Sequence, residues 1–249
     1  MSRSKQNAKH VATPATGAGE PDSGSGKYDI HKNLKLAEQC YDQGDFPEAE
    51  RLCHEIIHQN PDQLQATHLL GQIAYRLGNY EFAASHLRRA ISSQPDWPDA
   101  HNSLGMVLQH QGKPDDAIAC FQKALALRTV FPEAYNNMGL VLQELHRFNE
   151  ANSCYRKAIQ VEPGYAQAYH NLADTLRLQN RLEEAVKHYE MAIDIQPNYY
   201  EAYFNLGLSL ELLEQLEEAS ISYRKATVIE PTKVDAFIKL GATLHRLND

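Results

Sequence analysis

The sequence predicts an all-α solenoid of about six and a half helix-turn-helix repeats, each 34 residues long, and three observations carry that prediction. Prolines stand at Pro61, Pro95, Pro163, Pro197 and Pro231, separated by 34 residues or twice 34. A Leu or Met recurs in the same frame as Leu36, Leu70, Leu104, Met138, Leu172, Leu206 and Leu240. The next residue is always small: Ala37, Gly71, Gly105, Gly139, Ala173, Gly207, Gly241. Alanine follows at Ala49, Ala83, Ala117, Ala151, Ala185 and Ala219, and again at Ala90, Ala124, Ala158, Ala192 and Ala226.

Each repeat can be justified in turn. Repeat one, 30–63, is the weakest, with Cys40, Cys53 and Ile56 at signature positions, as suits a terminal unit. Repeat two, 64–97, has the full pattern. Repeat three, 98–131, has Thr129 where the proline should fall, so a looser or slightly shifted junction is expected there. In repeat four, 132–165, Tyr135, Met138, Gly139 and Leu142 make the apolar stripe of a first helix, and Ala151, Cys154, Tyr155 and Ala158 that of a second. Repeats five and six, 166–199 and 200–233, repeat this arrangement, and 234–249 is one further first helix. Between the paired helices Gly44, Gly78, Gly112 and Asn180 tolerate the left-handed backbone that ends a helix. The repeat-ending prolines stop the second helix, because proline lacks an N–H and clashes with the preceding turn.

A 34-residue unit with this Leu-Gly, Ala, aromatic, Ala and Pro pattern resembles the tetratricopeptide repeat family over residues 30 to 249. The resemblance implies a right-handed superhelix whose first helices line a concave groove that binds peptides or partner helices. Asn137, Asn171 and Asn205, spaced by 34, resemble the asparagine ladder in the tetratricopeptide arm of O-GlcNAc transferases. Ser103 stands in once, and Lys35, Leu69 and Lys239 break the ladder. An asparagine carries donor and acceptor together, so it can grip the backbone of an extended peptide. The same residue can instead bond the neighbouring helix, and both readings stand at this stage. Asn102, Asn136, His170, Asp174, Arg177, Phe204 and Leu208 share the expected groove face, as do His68, Gln72 and Met106. No lysine occupies the early-helix positions of the family branch that clamps a terminal carboxylate.

Composition narrows the partner. Residues 1–27 are rich in Ser, Gly, Ala and Pro and read as a flexible, disordered tail. The tail is basic, so residues 28–249 carry a net charge of −10 against −8 overall. An acidic body argues against nucleic acid. No apolar run approaches the roughly 18 residues of a membrane span. Four cysteines suit a reducing, cytoplasmic setting.

No catalytic residue, metal site or cofactor is expected. His54 and His58, four apart, read as surface residues; Cys40 and Cys53 as buried thiols; Tyr155, Tyr189 and Tyr223 as core rings. The expected function is a protein-interaction scaffold. Alternatives are the substrate arm of a larger transferase, O-GlcNAc-transferase-like first, with this sequence a fragment of it, and a module self-associating through an unfinished C-terminal face.

Overall fold

The computed structural model describes residues 29–248. The expected flexible tail lies outside them. Among the described residues thirteen helices alternate without a strand: α1 Ile30–Asp42, α2 Phe46–Gln59, α3 Leu64–Arg76, α4 Tyr80–Ser93, α5 Pro98–His110, α6 Pro114–Leu127, α7 Pro132–Glu144, α8 Phe148–Val161, α9 Ala166–Leu178, α10 Leu182–Ile195, α11 Tyr200–Leu212, α12 Leu216–Ile229 and α13 Val234–Asn248. This is the all-α solenoid of paired helices that the periodicity predicts. Each helix packs on its neighbours in sequence, and the odd-numbered helices from α1 to α11 also touch one another in succession. They therefore form the inner, more crowded side of the curve, and their exposed residues face its groove.

One turn recurs six times. At its centre a residue takes positive φ: Gly44 (80°), Gly78 (77°), Gly112 (69°), His146 (56°), Asn180 (58°) and Glu214 (58°). The next amide closes the helix end, as in Asp45 N–H to Cys40 O at 2.9 Å and Arg147 N–H to Leu142 O at 2.8 Å. His146 and Glu214 were not expected from the sequence, because any residue with a Cβ is uncommon in the left-handed region and neither breaks the local pattern as a glycine does. Here the register of the flanking helices imposes it on them. Asp45 and Asn79 then cap α2 and α4 through their side chains, accepting from Glu48 and Phe82 N–H.

The small residues have a measurable purpose. A methyl added at Gly71, Gly105, Gly139 or Gly207 would lie 2.7, 2.6, 2.5 or 2.6 Å from Leu87, Phe121, Tyr155 or Tyr223. Each glycine is thus a notch, and the next helix supplies the knob. Those knobs and the alanines beside them are sealed from water, and a buried side chain of that size contributes roughly 1.5–3 kcal/mol. Tyr155, Tyr189 and Tyr223 are core rings, as expected.

The junction at Thr129 is neither loose nor shifted. Phe131 closes it, buried against Ala124 and Ala134. The Arg128 guanidinium sits 4.6 Å above the Phe131 ring and makes a two-pronged bond to Asp99, at 2.8 and 2.5 Å. An aromatic plug and an ion pair replace the missing proline, and α7 starts in register at Pro132.

Candidate peptide-binding groove

The ladder residues meet across repeats. Side chains one residue out of register on successive inner helices face each other, giving pairs 35 apart. The His68 ring Nε2 lies 3.1 Å from Ser103 Oγ. Asn137 donates to Asn102 Oδ1 at 3.1 Å, and Asn171 to Asn136 Oδ1 at 2.8 Å. Asn205 donates to His170 Nε2 at 3.3 Å and to Asp174 Oδ1 at 3.0 Å. Each bond contributes about 1 kcal/mol net, and more is lost if a buried partner is orphaned.

These bonds change what a ligand could use. Asn136 is 1% exposed and Asn171 is buried with it; both stitch α7 to α9. Asn102, Asn137 and Asn205 are half-buried. Asn205 spends both amide hydrogens inside the protein and keeps its carbonyl. Asn137 spends one and keeps its carbonyl and the other hydrogen. The two-sided grip expected from the sequence is complete only at Asn137.

His170, Asp174, Arg177 and Asn205 converge. Asp174 accepts from the Tyr189 hydroxyl at 2.5 Å and lies 3.5 Å from Arg177 Nη2 and 3.7 Å from His170 Nε2. His170 is buried, 3.3 Å from Asn171 Oδ1 through Nδ1. The tautomer carrying hydrogen on Nδ1 satisfies both of its amide neighbours. Burial and the Asp174 charge raise the Tyr189 hydroxyl far above its usual range, so it stays a donor. Arg177 therefore has its counter-charge in place.

Phe204 is half-buried, stacked on Tyr200 at 5.9 Å and leaning on Tyr223. Leu208 lines a cleft of about 310 Å³ with Arg177, Glu211, Leu212, Lys239 and Arg246. Burial alone would raise the Glu211 carboxyl, but hydrogen bonds from Lys239 and Tyr223 outweigh it and hold it below the usual range. A smaller hollow of about 100 Å³ near the other end includes Gln72, Ser103 and Met106. Tyr41, Tyr75 and Arg76 also line it, and sequence reasoning missed them. They lie in the last turns of α1 and α3, where the amphipathic pattern marks no face.

His68 is buried, and its ring is pushed down to about 4 by burial, so it is neutral at pH 7. Cys40, Cys53 and Cys154 are buried free thiols. Burial pushes the Cys53 thiol up to about 12. His54 and His58 are exposed on α2. No group of three His, Cys, Asp or Glu able to hold a metal occurs among the described residues. No described helix is long and apolar enough to cross a membrane.

Stacked helix pairs along an inner groove define a class, the helical-repeat interaction scaffold. Family profiles described as tetratricopeptide repeat match residues 41–107, 98–161, 130–198 and 188–219. The chain belongs to the tetratricopeptide repeat family. No curated protein matches it. Among solved structures it is similar to MamA, at 26% identity and TM-score 0.60, covering 67% of this chain and 97% of that one. It is similar to PilW, a type IV pilus biogenesis factor, at 19% identity and TM-score 0.77 over 86% of this chain and 98% of that one. It is also similar to the Cut9–Hcn1 hetero-tetramer of APC/C, at 17% identity and TM-score 0.76 over 86% of this chain; there it spans 43% of the matched chain. The last two likenesses concern the fold alone.

Proposed function

We propose that the inner groove from α5 to α13 binds a polypeptide, as an extended peptide or a helical segment, and that the chain works as a binding scaffold. The observation that carries this reading is the unspent hydrogen-bonding capacity of half-buried Asn137 and Asn205, whose carbonyls accept nothing from the described residues. A ligand amide can donate to them, while Leu208 and the cleft beside it supply apolar area. Two such bonds at about 1 kcal/mol each cover a fraction of the roughly 8 kcal/mol behind micromolar affinity. The apolar contacts contribute the remainder.

The test is selection of a displayed random-peptide library on the immobilised protein, followed by affinity measurement with Asn137→Ala/Asn205→Ala. The expected loss is roughly ten- to thirtyfold. Unchanged affinity in a folded double variant would remove the asparagines from the reading. The finer alternative, a substrate arm of an O-GlcNAc-transferase-like enzyme, rests on the spacing of Asn137, Asn171 and Asn205. Its test is the coding sequence beyond the codon for Asp249. A transferase domain encoded there would favour that alternative, and an immediate stop codon would sink it.

A further inference from the structure

We propose that the hollow at the α1–α3–α5 end of the inner groove is a subsite for one phenylalanine ring of a peptide ligand that carries an acidic residue beside it. The proposal rests on the reading of the inner groove as a polypeptide site and names the side chain taken at this end. The hollow lies over Gly71 and Leu87 and measures about 100 Å³. That is several times the roughly 10–15 Å³ that one water needs, and of the same order as the roughly 150 Å³ apolar cavity that takes up benzene.

Comparison between repeats shows why the space exists. Phe121, Tyr155, Tyr189 and Tyr223 stand where repeat two has Leu87. Phe121, Tyr155 and Tyr223 press ring carbons against the glycine of the paired helix. The tyrosine hydroxyls reach side chains one or four residues after that small position. Tyr155 donates to Gln143, Tyr189 to Asp174 and Tyr223 to Glu211. In repeat two those positions are Gln72 and Tyr75, and both line the hollow. Leu87 does not reach them, since leucine ends at Cδ where a ring continues to Cε and Cζ. The hollow is the space of one missing ring.

Its chemistry selects the occupant. Gly71 and Leu87 are buried and make a hydrocarbon floor, with half-buried Tyr41, Tyr75 and Met106 around it. Aromatic rings and a polarisable sulfur favour an inserted ring. Two tyrosines can also cradle a cation, but Arg76 lines the same hollow and repels one. Arg76 is exposed, with its guanidinium 5.6 Å from the centre of the Phe46 ring and no carboxylate partner among the described residues. A ligand carboxylate next to the ring supplies that partner. Residues 1–27 contain no Phe, Tyr or Trp, so that segment has no ring to insert.

The test follows the Met106 methyl by NMR in the full chain with methyl-labelled methionine, titrated with the tripeptide acetyl-Asp-Phe-Asp-amide. The ring current should move the Met106 signal saturably, while Met191, exposed on α10, stays in place. Acetyl-Asp-Ala-Asp-amide should not move it. Leu87→Phe fills the hollow from inside with the ring that repeat three carries as Phe121, and should abolish the shift. Arg76→Gln, at an exposed position, should weaken binding of the acidic tripeptide roughly two- to fivefold and leave that of acetyl-Ala-Phe-Ala-amide unchanged. Asn137→Ala/Asn205→Ala should leave the Met106 shift intact, so the asparagine reading and this one fail separately. A wild-type chain whose Met106 signal does not respond, or responds equally to the alanine tripeptide, overturns the proposal. So does an undiminished shift in Leu87→Phe, or equal affinity of wild type and Arg76→Gln for the acidic tripeptide.

Discussion

Gly139→Ala would set a methyl 2.5 Å from Cε1 of Tyr155, a ring with no exposed surface. The ring cannot swing away cheaply. Its hydroxyl donates to Gln143 Oε1 at 2.9 Å, and the same oxygen accepts from Thr175 at 2.8 Å. Overpacking of this kind costs about 1–3 kcal/mol, and alanine returns about 1 kcal/mol of helix propensity over glycine. The expected net loss is therefore about 0–2 kcal/mol. Repeat five carries alanine naturally at Ala173, but there Arg177 occupies the place of Gln143 and the Tyr189 hydroxyl turns to Asp174 instead. The internal control is Gly241→Ala, which meets nothing and should stabilise α13 by about 0.5–1 kcal/mol. Urea unfolding reads the first variant, and amide exchange along α13 reads the second, because repeat arrays fray from their ends. Equal signs for the two substitutions would refute the notch-and-knob account.

Four further outcomes follow from the same geometry. His146→Gly relieves a positive φ and loses the edge contact with Phe148; the relief of about 1–2 kcal/mol exceeds the added unfolded-state entropy of about 0.4–1 kcal/mol, so the urea midpoint should rise. Asn171→Ala orphans the buried Asn136 Oδ1 and should destabilise by about 1–3 kcal/mol; adding Asn136→Ala should cost less than the sum of the single changes in a double-mutant cycle. His68 is held near 4 against its usual 6.5, so below pH 6.5 the unfolded chain takes up a proton that the folded chain refuses. Stability should fall as pH drops from about 6.5 to about 4, and His68→Asn should flatten that slope in urea titrations at stepped pH. The Cys53, Cys120 and Cys154 thiols are raised to about 12, 11 and 11, so the unfolded chain loses thiol protons first. Stability from these sites should be intact below about pH 9 and decline above it, and a thiol reagent at pH 8 should label the buried Cys53 and Cys154 only as fast as the chain opens.

The repeat was legible because packing of identical units forces identical residues into identical places. Leu, Gly, Ala and aromatic positions recur since each helix pair must bury the same stripe against the same notch. The turn glycines Gly44, Gly78 and Gly112 were legible for the same reason, whereas His146 and Glu214 were not, because a histidine or glutamate usually sits at negative φ and gives no local sign of leaving it. The Thr129 junction was also hidden. Its substitutes, Arg128, Asp99 and Phe131, come from separate parts of the repeat and meet only once it has folded.

For the groove, the sequence by itself determined which residues share the inner face: a 34-residue period on helices of constant length places them there. What each side chain does with its hydrogen bonds was decided by tertiary structure alone. The stagger of one residue between successive inner helices pairs position 137 with 102, 171 with 136 and 205 with 170. That offset depends on how one helix pair leans on the next, a property of packing across repeats that no single repeat's sequence encodes. It turns three chemically identical asparagines into one buried stitch and two half-buried side chains whose carbonyls accept nothing from the described residues.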